Sequence, residues 1–231
     1  MDYKTIDDLM EHLKESGISI SGAVEKQQLI NVGYFHGYKG YRFFTLPANR
    51  IPFNSFSEVY RTIEYDSKLK SLLYEKVMFI ETALKNIALN MIMEDINSSS
   101  IFDVYDKAVV GFKNAPIGTN EDAKKRYQDK KLKLQGLIQN SLAVAYRQEN
   151  PKIVHYYNNI SYNEVPLWAI FEILTLGDFG YLLSCLTMEL REKVSRSLGI
   201  NLSSDTNREL IYKYVYVLRE LRNSIAHNNV I

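Results

Sequence analysis

Residues 69–91, LKSLLYEKVMFIETALKNIALNM, hold the apolar pattern that decides the fold class. Apolar side chains recur there every three or four residues, which places them on one face of an α-helix. The members of this stripe are Leu69, Leu73, Val77, Ile80, Leu84, Ile87 and Met91. The stripe covers about six helical turns. It therefore predicts one long helix that begins near Phe56 and ends at the polar residues 97–100.

Capping and breaking residues predict the other helices. Thr5 with Asp8 has the pattern of a capping box and Gly17 that of a C-terminal stop, which predicts a helix near residues 5–16. The further predicted elements are a helix at 22–32, a loop at 109–120 and a charged helix at 121–149 that Pro151 ends. An apolar helix then runs from Pro166 to Leu186, and Gly177 can interrupt it. The last helix runs from Thr206, which forms a capping box with Glu209, to His227. Hardly any stretch alternates with the period of a β-strand. The sequence therefore predicts an all-α protein, a long-helix bundle with a small helical N-terminal extension.

The aromatic segment at residues 34–44, YFHGYKGYRFF, belongs to that extension. A turn-rich stretch with Pro47 and Pro52 follows it. We therefore assign residues 1–54 to an N-terminal unit and residues 55–231 to the helical bundle. The rings can pack in the core of the N-terminal unit, or they can stack on bases with help from Lys39 and Arg42. Core packing is favoured, because aromatic side chains are so often buried.

Composition limits the classes of function. The chain has 231 residues, of which 46% are hydrophobic and 24% charged, as is typical of a soluble globular protein. Its net charge of +1 means that any RNA site must be local. The single cysteine, Cys185, excludes an internal disulfide and a Cys-rich zinc site, and it fits a reducing cytoplasm. Because the histidines lack partners at metal-ligand spacing, and Glu172 and Asp178 interrupt the apolar run 165–186, we expect no metal, no cofactor and no membrane span.

The last predicted helix carries the residues with the most informative chemistry, Arg222, Asn223 and His227. A histidine titrates near neutral pH and can move protons, and an arginine stays charged and can grip a phosphate with two hydrogen bonds. Together with an amide, these groups suffice to cut an RNA phosphodiester without a metal. The alternative is structural, because cations at a helix C-terminus also complement the helix dipole. The predicted buried face of this helix consists of Tyr214, Leu218, Leu221 and Ile225.

The reaction we infer is attack of the RNA 2′-hydroxyl on its own phosphorus, which DNA cannot undergo. His227 would transfer the proton, Arg222 would stabilise charge on the phosphoryl oxygens, and Asn223 would orient the phosphate or the imidazole. In a straight helix Arg222 and His227 lie about 140° apart. Three routes to a common phosphate stay open. In the first, the helix bends or frays near Ala226. In the second, the long arginine side chain reaches around the helix to the side of the histidine. In the third, two chains pair and each contributes one arginine and one histidine.

Basic residues elsewhere are candidates for binding RNA phosphates. They are Lys124, Lys125, Arg126, Lys130 and Lys133 in the charged helix and Arg219 in the last helix. Arg126, Lys130 and Lys133 share one helix face. The alternative is a solvated helix surface, which such charge runs usually form.

Residues 218–227, LRELRNSIAH, resemble the Arg-x4–6-His signature of HEPN domains, in the form found in Abi-like abortive-infection proteins of the AbiD/AbiF type. Other segments resemble motifs of that family in the same order. They are the aromatic run 33–41, Tyr60-x4-Tyr65-Asp66-x2-Leu69, Ile80-Glu81-x2-Leu84-Lys85, and the block 165–177, VPLWAIFEILTLG. The resemblance covers nearly the whole chain apart from the region 95–160.

The resemblance implies an α-helical HEPN fold, a phage-defence or toxin role in the bacterial cytoplasm, and metal-independent RNA cleavage at a homodimer interface. Arg222 and His227 match the family's catalytic pair, and Asn223 matches the polar residue beside the arginine. An antitoxin, either an RNA or a protein, would control such an enzyme. The alternative is a non-catalytic HEPN module that binds RNA or a protein partner.

Three features depart from the family pattern. Lys85 stands where we expect an arginine. Asn229 stands where some HEPN toxins carry a tyrosine used in neutralisation by a nucleotidyltransferase, so that form of regulation is not expected. The chain also ends four residues after His227, where we expect relatives to continue, and both a short variant and a truncated chain stay open.

Overall fold

A computed structural model describes residues 4–43, 49–159, 161–162 and 164–231, and its regular structure is helical. In chain order the helices are α1 (Ile6–Glu15), α2 (Gly22–Val32), α3 (Gly40–Arg42), α4 (Phe56–Ile96), α5 (Ile101–Asp103), α6 (Glu121–Arg147), α7 (Pro151–Asn158), α8 (Leu167–Ile173), α9 (Leu176–Cys185), α10 (Met188–Ser197) and α11 (Leu210–Ala226). Two π-helical segments, Gly33–Lys39 and Val104–Ala108, follow α2 and α5. In the described ranges extended pairing is limited to three isolated bridges, so the predicted all-α class is confirmed. Within the same ranges no helix has the length and apolar character that crossing a membrane requires.

The chain divides into two compact units. The first unit comprises the described residues up to Val77 together with Leu221–Ile231, and the second comprises those of Met78–Glu220. The predicted domain boundary between residues 54 and 55 stays a prediction.

The core of the first unit combines aliphatic and aromatic side chains. Its members are Met10, Leu13, Ile18, Ile20, Leu29, Tyr34, Tyr38, Phe56 and Val59. Tyr34 and Tyr38 of the aromatic segment are thus core residues and Tyr41 is buried as well, whereas Phe35 is 72% exposed. Phe44 of the aromatic segment and Pro47 of the turn-rich stretch lie outside the described residues.

The second unit has a larger and almost wholly apolar core. It draws on the C-terminal half of α4 and on α6, α8, α9, α10 and α11. Among its most deeply buried side chains are Ile92, Leu134, Ile138, Leu167, Ile170, Phe179, Leu182, Val194 and Val215.

Local signals predicted the helix ends near the N-terminus correctly. Thr5 caps α1 and exchanges hydrogen bonds with Asp8 in a capping box. Gly17 follows at φ +81°, in the left-handed region where glycine is least strained. The bounds predicted for α2 are confirmed. The long helix α4 likewise ends where predicted, before Asn97 at φ +50°.

The predicted apolar stripe of α4 is only partly right. Val77 is buried, but Ile80 is 42% exposed, and the buried face near the end of the helix runs through Ala88, Ile92 and Ile96. Periodicity identifies an apolar face, yet it does not fix how many neighbours cover each turn of that face.

The apolar segment from Pro166 to Leu186, which Gly177 was expected to be able to interrupt, forms two helices, α8 and α9. Thr175 separates them as the N-cap of α9, since its hydroxyl accepts a hydrogen bond from the N–H of Asp178 at 3.1 Å. The interruption therefore lies just before Gly177 rather than at it.

The prediction that Pro151 ends the charged helix is wrong, because the chain leaves that helix four residues earlier. The helix α6 ends at Arg147, and Pro151 is the first residue of α7, where its missing N–H is not needed. Neither α7 nor α10 is predicted from the sequence pattern.

The last helix, α11, begins later than predicted. Its cap is the buried Asp205 rather than a box between Thr206 and Glu209. The Asp205 carboxylate accepts hydrogen bonds from the N–H of Glu209 at 2.8 Å and from that of Leu210 at 3.1 Å. One carboxylate can satisfy two free N–H groups and also complements the positive end of the helix dipole.

Candidate functional site

The predicted catalytic residues lie at the C-terminal end of α11, and His227 directly follows its last residue. The backbone closes in a pattern common at helix ends. The N–H of Asn229 donates to the carbonyl of Ser224 at 2.8 Å, and the N–H of Asn228 donates to that of Ile225 at 3.3 Å. Asn228 adopts the left-handed φ of +54° that this pattern requires. The histidine is therefore held by an ordered turn.

The side chains of the motif differ in exposure. His227 is exposed, whereas Arg222 and Asn223 are half-buried. Nη1 of Arg222 donates to Oδ1 of Asn223 at 3.3 Å, which fixes the amide beside the guanidinium. Neither member of the Arg222–His227 pair is sealed in an apolar interior, so both can meet a phosphate from solvent.

The helix is regular up to the histidine. The N–H of His227 donates to the carbonyl of Asn223 at 2.9 Å, as in an unbroken helical turn. A bend or fray near Ala226 is therefore not observed. Two of the three routes to a shared phosphate remain, namely reach of the long Arg222 side chain and pairing of two chains.

Buried polar groups of the first unit hold the residues that follow the histidine. Nζ of Lys70 donates to Oδ1 of Asn228 at 3.0 Å. Oδ1 of Asp66 accepts from the N–H of Ile231 at 3.3 Å. Lys70 and Asp66 form an ion pair at 2.5 Å and are only 6% and 4% exposed. The turn after His227 is thus anchored to α4 by charged groups out of contact with water.

Tyr41 completes this cluster. Its hydroxyl donates to Oδ2 of Asp66 at 2.5 Å. Burial and the Asp66 carboxylate together raise the pKa of Tyr41, so the phenol stays a protonated donor. Sequence reasoning missed Lys70 and Asn228, although Tyr41 and Asp66 lie in segments that carried the family resemblance. The spacing of Asp66 and Lys70, four residues apart on one helix, was the available signal.

Lys85, which stands where an arginine was expected, has a structural role in the second unit. Its Nζ forms an ion pair with Glu81 at 3.1 Å and donates to the carbonyl of Leu174 at 2.7 Å. Leu174 directly follows α8, so Lys85 satisfies a carbonyl at the end of that helix.

The predicted RNA-binding cations all belong to the second unit, but their surroundings differ. Lys125 and Arg126 are exposed. Lys124 lies 3.3 Å from the Glu121 carboxylate and 5.7 Å from the ring centre of Phe112. These contacts are those of a solvated helix surface.

Lys133 and Arg219, by contrast, lie over tyrosine rings. Nζ of Lys133 is 5.3 Å from the ring centre of Tyr181, and Cζ of Arg219 is 5.3 Å from that of Tyr216. Arg219 also pairs with Glu220, its Nε donating at 3.0 Å. Burial chiefly raises the pKa of Tyr181 to about 12, so this phenol is neutral at physiological pH.

The glycines of α9 differ in how closely Tyr216 and Arg219 approach them. A Cβ at Gly180 would lie 3.0 Å from Cε1 of Tyr216, and one at Gly177 would lie 3.4 Å from Nη1 of Arg219. The distance at Gly177 is an ordinary van der Waals contact, so close packing requires a glycine at Gly180 and not at Gly177.

A cavity of about 500 Å³ in the second unit involves the remaining predicted cation, Lys130. Its charged lining consists of two cations, Lys130 and Arg191, and two carboxylates, Glu189 and Glu209, so it has no clear preference for either sign of ligand. Burial raises the pKa of the Cys185 thiol, another lining group, which therefore stays protonated at neutral pH. In the part of the chain that the structure describes, no three His, Cys, Asp or Glu side chains group as they would around a metal ion.

The fold and this helix end define an α-helical protein whose last helix closes with an Arg-Asn-x3-His motif. The chain belongs to the Abi-like protein family, whose model matches residues 27–231. The predicted resemblance to Abi-like proteins is confirmed, and the match includes the whole motif. No curated protein and no solved structure matches the chain.

Proposed function

We propose that this protein is a metal-independent endoribonuclease of an abortive-infection or toxin–antitoxin phage-defence system, acting in the bacterial cytoplasm. Membership of the Abi-like family supports the role in abortive infection. The observation that carries the catalytic part is the end of α11, where an exposed His227 follows the half-buried Arg222 and Asn223 on one regular helix.

The roles follow from the chemistry of these groups. The imidazole of His227 takes the proton of the RNA 2′-hydroxyl or gives one to the leaving oxygen, a contribution of roughly 10²- to 10⁴-fold in rate. Arg222 stabilises the charge that grows on the phosphoryl oxygens, because a guanidinium stays ionised and binds two oxygens at once. Asn223 orients the guanidinium, to which it is already bonded.

A second copy of the chain would supply the second histidine that acid and base catalysis together use. The exposed face of α11 supports such pairing. The predicted burial of Tyr214 is wrong, because Ile211 and Val215 form the buried face instead, while Tyr214 is 53% and Val217 67% exposed. These two apolar side chains, three residues apart, are neighbours on the helix that carries the motif. We propose that they lie in a homodimer interface.

RNA would be held by a subset of the predicted cations. Lys133 and Arg219, each over a tyrosine, combine a charge for phosphate with a ring that can stack on a base. Lys124, Lys125 and Arg126 would add screened contacts that weaken as salt rises. An antitoxin RNA or protein would control access to the same groups.

Cleavage of a mixed RNA substrate in EDTA tests this function. We expect the wild type to cut RNA and not DNA, and Arg222→Ala and His227→Ala each to reduce the rate roughly 10²- to 10⁴-fold. Matched controls are His36→Ala and Arg61→Ala, which change exposed residues of the same types in the first unit and should leave the rate unchanged. Cleavage that survives both motif substitutions would remove the site assignment. Uncut RNA with the wild type would favour the non-catalytic binding module.

The dimer has its own test. Val217→Glu places a charge on the exposed apolar face of α11, so it should shift the mass measured by light scattering from dimer to monomer. Glu220→Gln changes an exposed residue of the same helix without placing a charge among its exposed apolar side chains, and it should leave the mass unchanged. A wild-type protein that is monomeric at all concentrations would contradict the pairing.

A further inference from the structure

The buried ion pair Asp66–Lys70 lies in the first unit and requires two charged groups to be removed from water. Both residues are more than nine-tenths buried, and removing a charge from water carries a large free-energy penalty. Mutual attraction offsets that cost only when the remaining donors and acceptors are also satisfied. In this cluster they are.

Lys70 has three acceptors for its ammonium protons. Nζ lies 2.5 Å from the Asp66 carboxylate, 3.4 Å from the Tyr41 hydroxyl and 3.0 Å from Oδ1 of Asn228. Asp66 in turn accepts from Tyr41 and from the backbone N–H of Ile231. The cluster therefore ends on the chain segment immediately after the motif histidine.

Asn228 connects this cluster to the motif in two ways. Its backbone, at φ +54°, forms the left-handed turn that ends α11, and its side chain accepts from Lys70. It is also the covalent neighbour of His227. Any movement of this turn moves the imidazole, and misplacement of a catalytic group by about 1 Å can lower a rate 10²-fold.

We propose that Lys70, held in place by Asp66 and Tyr41, is a positioning residue that fixes the turn at Asn228 and with it the imidazole of His227. The proposal rests on the ribonuclease function, because it assigns Lys70 a part in that reaction. Lys70 is buried, so in this proposal it makes no contact with the RNA itself. It acts through the turn.

Asn228→Gly removes the contact without straining the turn. Glycine adopts a positive φ readily, so the backbone pattern is kept while the acceptor for Lys70 is lost. Asn97→Gly is the matched control, since Asn97 is also exposed, sits at φ +50° after the end of a helix, and lies in the second unit. Asn228→Asp is the conservative variant, because a carboxylate oxygen also accepts from an ammonium group.

We expect Asn228→Gly to lower kcat for RNA cleavage roughly 10- to 100-fold, with little change in KM. Asn97→Gly should cleave at the wild-type rate, and Asn228→Asp should retain most of it. A kcat for Asn228→Gly equal to that of the wild type would overturn the proposal. So would equal losses in Asn228→Gly and Asn97→Gly.

The imidazole proton resonances of His227, assigned by comparison with His227→Ala, give a readout that needs no cleavage. We expect Asn228→Gly to shift or broaden them, and Asn97→Gly to leave them unchanged. If the wild type cuts no RNA, the ribonuclease function fails, and a His227 resonance that Asn228→Gly leaves unchanged would then overturn the positioning as well. If the wild type and Asn228→Gly cut RNA equally, the function stands and the positioning fails.

Discussion

The buried side chains of the two compact units differ in polarity and charge. In the second unit the described buried residues are apolar except for Ser195 and Asp205, and Asp205 caps α11. In the much smaller first unit they include Arg42, Asp66 and Lys70. An apolar interior gains stability from every side chain it removes from water, whereas a buried ion pair is often no better than an apolar pair of the same size.

We propose that the apolar interior of the second unit serves stability and that the charged interior of the first unit also serves the site. Asp66 and Lys70 could be replaced by apolar side chains without loss of folding free energy on general grounds. Their contacts to Asn228 and Ile231 give them another task, which is to hold the turn after His227. The first unit thus has buried polar contacts, rather than apolar ones, next to the turn that follows the motif.

The largest loss of stability should follow from removing one charge of the buried Asp66–Lys70 pair and leaving the other in place. Lys70→Met leaves the Asp66 carboxylate buried without its cation, and we expect the free energy of unfolding to fall by about 3–5 kcal/mol. Urea denaturation of the variant and the wild type measures this difference in the free energy of unfolding. Lys68→Met, an exposed lysine on the same helix, is the control and should change stability by less than about 0.5 kcal/mol.

The double variant Asp66→Asn with Lys70→Met sharpens that result. Removing the uncompensated charge should restore part of the lost stability. If Lys70→Met were no more destabilising than Lys68→Met, the first unit would not depend on its buried charges.

In the second unit the loss should come from a cavity. Leu182 is fully buried, and Leu182→Ala should lower the free energy of unfolding by about 2–5 kcal/mol through lost apolar burial and an unfilled space. The same substitution at Leu72, which is 74% exposed, is the control. Equal unfolding midpoints for the two variants would contradict the assignment of Leu182 to the core.

Overpacking should have a smaller effect than cavity formation. A Cβ at Gly180 would lie 3.0 Å from Tyr216 and 3.2 Å from Cγ1 of Val215, so Gly180→Ala should destabilise by about 1–3 kcal/mol. At Gly136, also inside a helix, a Cβ would meet nothing within 4 Å. Gly136→Ala should therefore stabilise by about 0.5–1 kcal/mol. Thermal unfolding curves that move in the same direction for both would refute the close packing of α9 on Tyr216.

The smallest effect should come from surface charges of the second unit. Hydrogen bonds from Arg196 and Arg208 lower the pKa of the Glu192 carboxyl below its ordinary value. A carboxylate with a lowered folded-state pKa stabilises the protein at neutral pH, and that stabilisation is lost as the pH falls through the folded-state pKa. Glu192→Gln should therefore lower the Tm slightly at pH 7 and not at strongly acidic pH. A Tm difference between Glu192→Gln and the wild type that grows as the pH falls would contradict this prediction.

Signals that depend on near neighbours could be predicted from the sequence. The capping box of Thr5 and Asp8, the glycine stop at Gly17 and the end of α4 before Asn97 were all read from a few adjacent residues. The break between α8 and α9 had such a signal too, because Thr175 and Asp178 have capping spacing. The sequence pattern instead placed the interruption at Gly177, two residues after the observed N-cap.

Contacts between distant residues could not be predicted in this way. The motif itself was visible in the sequence, but Lys70 and Asn228, which meet at 3.0 Å, are 158 residues apart. Nothing in the periodicity of α4 marks Lys70 as buried, because a lysine beside an apolar stripe usually reaches water. The same limit explains Tyr214, whose exposure depends on neighbours that the helical period does not specify.

The chemical ends of the RNA products test the proposed reaction most directly. An RNA oligonucleotide is incubated in EDTA with the wild type or with His227→Ala, and the fragments are identified by mass spectrometry. Attack of the 2′-hydroxyl predicts fragments that end in a 2′,3′-cyclic phosphate and begin with a 5′-hydroxyl, and these should fall roughly 10²- to 10⁴-fold with His227→Ala. Fragments that carry a 5′-phosphate, or a product yield that His227→Ala leaves unchanged, would contradict catalysis by the motif at the end of α11.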